Sequence, residues 1–140
     1  MKDQLLIIAQ QEDYQGLISA DLKEKYQLQF EGTTQAALSQ INTKANTLLS
    51  LVDLDYLQAL EVITSIKSSL KEKNIPIVAL SSKMVDESEY DYVLLKPILA
   101  IELELAVLKT LNKARLSSIR KISDKIKELT NSSDDSYPKH

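Results

Sequence analysis

The 140-residue chain has no cysteine, no tryptophan, only two glycines and a single histidine, His140, at its last position. Without cysteine there can be no disulfides, thiolate zinc sites or thiol nucleophiles. A histidine in the polar end of the chain offers no positioned imidazole for acid–base catalysis. Two glycines cannot build a glycine-rich phosphate loop, which argues against a small nucleotide-binding enzyme. We therefore expect no enzymatic activity and no cofactor.

Long apolar runs are also missing. No segment approaches the ~20 apolar residues that span a bilayer, so we expect no membrane partner. The first residues, Met1 to Gln4, lack the apolar core of a signal peptide. Together with the absence of cysteine, this predicts that the protein is located in the reducing cytoplasm. The apolar fraction of 44% and the charged fraction of 26% are typical of a globular domain with a core of its own.

The net charge of the chain is small, but the charged residues are unevenly distributed along it. The net charge is −3, yet residues 109–128 hold seven Lys or Arg against two acids, which leaves −3 − 5 = −8 for the rest of the chain. These basic residues are spread around a predicted helix with no aromatic residues between them. We therefore expect a solvated helix and no nucleic-acid binding.

Strand-like and helix-like segments alternate along the chain. Five apolar or alternating runs have the length of strands: residues 4–9, 27–31, 47–53, 75–80 and 92–95. Helical spacing of apolar residues lies between them, including a helix over residues 14–26, and continues over residues 98–130. This alternation predicts a parallel sheet with helices on both faces. Residues 83–91 are polar and acidic and too short for a helix of several turns.

Polar side chains follow three of the predicted strands. Asp53 ends the third run and Asp55 lies two positions after it. Ser81 follows the fourth run, and Lys96 follows the fifth. Ligands gather at the carboxyl ends of strands in open parallel sheets, so this edge is the candidate site. The alternative for Asp53 is that it only caps the following turn.

With these residues in this order and the run Val93–Pro97 ending in Lys96-Pro97, the chain resembles the receiver domain of two-component response regulators over about residues 4–112. The resemblance implies an α/β, flavodoxin-like fold with five parallel strands in the order 2-1-3-4-5. It also implies that Asp53, with Asp55 as second choice, accepts a phosphoryl group, that Ser81 supplies a switch hydroxyl and that Lys96 contacts the phosphate. Alternatively, Lys96 forms a salt bridge with Asp53.

The chain departs from the receiver pattern at the metal site and before the fifth strand. The acidic pair that binds Mg²⁺ in that family falls on Gln10 and Gln11, whose neutral amides cannot offset the charge of phosphoryl transfer. The short interval from Ser81 to Lys96 leaves the fourth helix short or missing. We therefore predict an atypical signalling module that acts by protein–protein contacts. The alternative is a working regulator phosphorylated on Asp53 with Mg²⁺ bound.

The predicted last helix is longer than a compact domain needs. Its second half carries a narrow apolar stripe, the C-terminal seam, made of Ile119, Ile122, Ile126 and Leu129 at 3-and-4 spacing. This pattern predicts a coiled coil and a homodimer; the alternative is a helix folded back on its own domain. We divide the chain into a receiver-like domain over residues 1–112, a helical extension over 113–130 and a disordered tail over 131–140.

Overall fold

A computed structural model describes residues 2–43 and 46–133. Its centre is a five-stranded parallel sheet with the order β2-β1-β3-β4-β5. The strands are β1 Gln4–Ile8, β2 Gln27–Glu31, β3 Thr47–Asp53, β4 Ile77–Ser81 and β5 Tyr92–Leu95. The predicted fold class and strand order are confirmed.

Five α-helices and one short 3-10 helix lie between the strands within the described residues, and a sixth α-helix follows β5. The α-helices are α1 Gln11–Tyr14, α2 Ala20–Lys25, α3 Thr34–Thr43, α4 Leu54–Leu57, α5 Leu60–Glu72 and α6 Ala100–Ser133, and the 3-10 helix is Glu87–Glu89. Between β4 and β5 the 3-10 helix is the only helical segment, so the prediction of a short or missing fourth helix is confirmed.

Both faces of the sheet are covered by helices. On one face, Leu5, Leu51 and Leu80 pack with the α1–α2 segment and with α6. On the other face, residues of the opposite strand parity, such as Ile8 and Val52, pack with α3 and α5. Because side chains alternate along each strand, the two sets form two separate cores.

The predicted continuous helix over residues 14–26 is wrong. The chain leaves α1 after Tyr14 and begins α2 only at Ala20. Ser19 has an extended backbone, and its hydroxyl accepts a hydrogen bond from the Leu22 N–H at 3.2 Å, as an N-cap does. Glycine at position 16 and serine at position 19 both favour a break over an unbroken helix.

Helix α6 is one element that crosses the predicted boundary at residue 112 without interruption. It begins at Ala100 and continues to Ser133. The division of the chain into a domain, an extension and a tail stays a prediction. Residues 134–140, where the rest of the disordered tail was predicted, lie outside the described residues.

Candidate functional site

Asp53 is the last residue of β3 and lies buried at the carboxyl edge of the sheet. Its Oδ1 accepts hydrogen bonds from the backbone N–H groups of Asp55 and Tyr56, at 3.0 and 3.1 Å. Asp53 is therefore the N-cap of α4, where a carboxylate suits the free N–H groups of the first turn. The capping role that the sequence offered as an alternative is present in the structure.

Lys96 places its ammonium group between two carboxylates. Nζ donates to Asp53 Oδ2 and Oδ1 at 2.9 and 3.0 Å and lies 3.0 Å from Asp55 Oδ2. The backbone N–H of Lys96 donates to the Ser81 carbonyl at 2.8 Å, which fixes the base of the side chain at the sheet edge. Because a buried carboxylate needs a counter-charge or hydrogen bonds, Lys96 neutralises Asp53 within the folded chain.

Tyr14 completes the contacts of the buried carboxylate and was missed by the sequence analysis. Its hydroxyl donates to Asp53 Oδ2 at 2.7 Å, and the whole residue is 2% exposed. The residue ends α1, directly after the loop that leaves β1 at the same edge of the sheet. In the sequence, the only indication of this contact is a tyrosine a few residues after the first strand, near the edge where Asp53 lies.

The loop after β4 is held by its serines. Ser82 donates to Asp55 through its N–H at 2.8 Å and its hydroxyl at 3.0 Å, which joins this loop to the start of α4. The predicted switch hydroxyl of Ser81 is buried, donates to the Lys83 carbonyl at 2.9 Å and accepts from the Lys83 N–H at 3.0 Å. Its hydrogen bonds are therefore made within its own loop, and Ser82 makes the contact to a carboxylate.

The hydrogen bonds and burial at this site shift the pKa values of Lys96, Asp55 and Tyr14. Partial burial opposes the charged form of Lys96, but hydrogen bonds to Asp53 and then to Asp55 outweigh it, so the pKa of Lys96 is raised. Partial burial also opposes the charged form of Asp55, but the hydrogen bond from Lys96 favours that form, and the pKa of Asp55 is lowered. Hydrogen bonds from Ser82 also lower the pKa of Asp55. Burial, followed by the hydrogen bond to Asp53, raises the pKa of the Tyr14 hydroxyl. The site therefore holds a charged lysine and a neutral tyrosine at neutral pH.

The residues at the predicted metal position do not fit Mg²⁺. Gln10 and Gln11 are exposed and line a shallow depression with Phe30, Gly32 and Tyr56. Within residues 2–43 and 46–133, no group of three or more His, Asp or Glu side chains is placed to hold a metal ion. The ammonium of Lys96 already occupies the position between the Asp53 and Asp55 carboxylates, where a cation would bind. A hard cation that prefers oxygen ligands finds no complete donor set there.

The place of the missing fourth helix is taken by the loop before β5. Tyr90 packs on the core beside Val93, and Lys67 of α5 lies over the Tyr90 ring at 5.1 Å from its centre. Lys67 also pairs with Glu89 at 3.2 Å. In this loop Val85 and Tyr90 are the apolar side chains that pack against the core.

The C-terminal seam lies on the part of α6 that extends beyond the domain. Its side chains, Ile119, Ile122, Ile126 and Leu129, are between 53% and 65% exposed. Since α6 continues as a single helix with this stripe uncovered, the alternative of an extension folded back on its own domain is wrong.

No helix in the described part of the chain is long and apolar enough to cross a membrane. No family model matches the sequence, and no curated protein matches it either.

Solved structures do resemble the chain. The signal receiver domain of a protein described as a Luxo repressor from Vibrio parahaemolyticus matches with a TM-score of 0.68 and 17% identity, over 85% of this chain and 97% of that one. A CheY-like receiver domain protein from Methanospirillum hungatei matches with a TM-score of 0.65 and 13% identity, over 84% and 99%. A fusion protein that contains a trimeric coiled-coil segment of yeast Spc42 matches with a TM-score of 0.65 and 17% identity, over 94% of this chain and 96% of that one. Together with the strand order, these likenesses show that the chain has the fold of response regulator receiver domains.

Proposed function

We propose that this chain is a signal-transduction module of a two-component or related pathway that works without phosphorylation of Asp53. One observation carries the proposal: both carboxylate oxygens of Asp53 are hydrogen-bonded inside the protein, to Lys96, to Tyr14 and to two backbone N–H groups. The carboxylate oxygens that would attack a phosphoryl donor are thus already engaged. Its partners are proteins of the cytoplasm, and it binds no nucleic acid.

Electrostatics support the same conclusion. Two carboxylates and one ammonium give the edge a net charge of −1, as counted from Asp53, Asp55 and Lys96. An aspartyl phosphate carries a charge of about −1.5 to −2 in place of the single charge of the Asp53 carboxylate, so phosphorylation would make this edge more negative by about 0.5 to 1 unit. Two unit charges ~4 Å apart near a protein surface repel by ~4 kcal/mol. Receivers rely on Mg²⁺ to offset this charge, whereas Gln10 and Gln11 contribute none.

We further propose that the chain forms a homodimer through the C-terminal seam. Four large apolar side chains on a solvated helix bury little unless a partner covers them. The fusion protein with a trimeric coiled-coil segment matches 94% of this chain, against 85% for the Vibrio receiver domain, and supports association through helices. The number of two copies is proposed from the narrow seam itself. A helix pair built on α6 gives the module a defined surface for binding its protein partners.

Incubation with acetyl phosphate and Mg²⁺, followed by intact-mass measurement, tests the first proposal. We expect no mass gain in the natural chain, because the attacking oxygens are engaged and no metal site offsets the charge. The control is a receiver that is phosphorylated under the same conditions. A gain of one phosphoryl group that disappears in Asp53→Asn would replace this proposal with the phosphoacceptor alternative.

Sedimentation equilibrium tests the homodimer. The natural chain should have twice the monomer mass at micromolar concentration, and Ile122→Asp should restore monomers because it places a charge in the seam. Lys121→Asp, on the neighbouring polar face of the same helix, is the matched control and should leave the mass unchanged. A monomeric natural chain would refute the dimer.

A further inference from the structure

The outer face of α6 carries a heptad repeat that begins inside the domain, well before the C-terminal seam. Nine positions follow an alternating 4-and-3 spacing without a break, and all but two are apolar. We call this stripe the extended seam; it consists of Ile101, Leu105, Leu108, Asn112, Arg115, Ile119, Ile122, Ile126 and Leu129.

The extended seam lies opposite the face of α6 that packs on the sheet. The inward face, with Leu103, Ala106 and Val107, is fully buried. On the outward face Ile101 is 59% exposed and Leu105 is 45% exposed, although both belong to the first turns of a helix packed on the domain. A second helix can therefore lie along the whole outward face without displacing any core residue.

We infer that a second copy of this chain pairs along the extended seam as a parallel two-stranded coiled coil, with the two domains on the outside of one helix pair. This inference rests on the proposed homodimer and extends its interface into the domain. The C-terminal seam alone spans two heptads, a length at which helix pairing is marginal. The extended seam spans about four heptads, the length at which such a pattern indicates a coiled coil.

The polar layer at Asn112 is compatible with a parallel pair. In the heptad frame Asn112 occupies an a position, where one asparagine selects register and a two-stranded state. In a parallel pair each Asn112 amide meets its own copy, so a donor faces an acceptor. In an antiparallel pair a positions face d positions, so the register centred between residues 112 and 115 places Asn112 against Arg115 of the partner subunit. The choice of a parallel pair therefore rests on the charges that flank the seam.

Charge at the domain end of the seam supports the same occupant. Glu104 and Lys109 take the g and e positions that flank the seam, so in a parallel pair Glu104 faces Lys109 of the partner subunit. Arg115 takes a d position, and its long side chain reaches water from there. The Arg115 layer adds little, and the layers on both sides of it supply the apolar contact.

The absence of native cysteine makes a direct test simple. Leu105→Cys introduces the only thiol of the chain at an a position near one end of the seam. In a parallel pair the two thiols face each other at disulfide distance, so mild oxidation should give a covalent dimer. In an antiparallel pair, where residue 105 lies opposite residue 122 of the partner subunit, they would be roughly 25 Å apart. Leu60→Cys, on exposed Leu60 of α5, is the control and should remain uncrosslinked.

A second measurement separates this inference from the homodimer itself. Leu105→Asp should weaken the dimer roughly tenfold or more, because it buries an unpaired charge, whereas Leu60→Asp should leave it unchanged. If Ile122→Asp dissociates the dimer and Leu105→Asp does not, the homodimer stands and the extended seam is overturned. A natural chain that sediments as a monomer overturns both, and a trimer overturns the two-stranded form. A dimer without the Leu105→Cys crosslink overturns the parallel arrangement.

Discussion

Replacing Lys96 by methionine removes the ammonium group that lies between Asp53 and Asp55 while keeping most of the side-chain volume. Breaking a fully buried ion pair by removing one partner costs about 3–5 kcal/mol, because a charge is left uncompensated. Here the Asp53 side chain is 2% exposed but that of Lys96 is 30% exposed, and Asp53 keeps its bonds to Tyr14 and to the backbone. We therefore expect Lys96→Met to lower the free energy of unfolding by about 2–3 kcal/mol.

Urea unfolding followed by circular dichroism measures this change, with the m-value as a check that the compactness of the two end states is unaltered. The control is Lys67→Met, which removes a lysine that pairs with half-exposed Glu89 and lies over the Tyr90 ring. An exposed pair contributes about 0–1 kcal/mol, and a lysine over an exposed ring adds about 0.5–1 kcal/mol. The double variant Lys96→Met with Asp53→Asn should be more stable than Lys96→Met alone, because the uncompensated carboxylate is gone.

Two results would refute the reasoning. One is a cost for Lys96→Met no larger than that for Lys67→Met, which would mean that Asp53 does not need the ammonium group. The other is a double variant whose cost equals the sum of the two single changes, since residues in one buried pair should be coupled.

Three further predictions follow from the same site and from α6. Tyr14→Phe should cost about 1.5–3 kcal/mol, the contribution of a hydrogen bond to a charged group, and urea unfolding with no loss would show that the bond to Asp53 is dispensable. Folding raises the pKa of both Tyr14 and Lys96, so their contribution to the stability of the folded state is complete below about pH 10 and is lost as the pH rises further. The midpoint of urea unfolding should therefore fall between about pH 8 and pH 11, and it should fall less in Tyr14→Phe. Arg115→Leu should strengthen the dimer in sedimentation, and an unchanged dissociation constant would argue against a seam through that layer.

Much of the fold could be predicted from the sequence, because strand and helix periods differ and the buried strands are almost continuously apolar. The run that ends at Asp53 identified a central strand, and the short stretch before Tyr92 identified the loss of a helix. The break between Tyr14 and Ala20 could not be found this way. Apolar residues on both sides of it keep a helical spacing, and only the local preferences of Gly16 and of Ser19, the N-cap of α2, separate the two helices.

The site was predictable only in part, because topology determines where the strands end but not how the loops between them run. Topology brings strand ends together, so Asp53 and Lys96 could be paired from their order along the chain. Which hydroxyl meets which carboxylate depends on the course of the loops over a few ångströms. The sequence therefore favoured Ser81, whereas Ser82 bonds Asp55, and it gave no reason to connect Tyr14 with Asp53.

The ion pair at the end of β3 also lies close to the start of α6. Lys96 is tied to Ser81 through its backbone N–H and to Asp53 through its side chain. It lies only five positions before Ile101, the first residue of the extended seam. A few residues downstream, the Leu99 N–H donates to the Glu102 carboxylate at 2.9 Å and closes the first turn. A salt bridge that holds this connection in one position gives the helix one fixed direction. In such a chain the acid at the strand end has a structural reason to remain even where it receives no phosphoryl group.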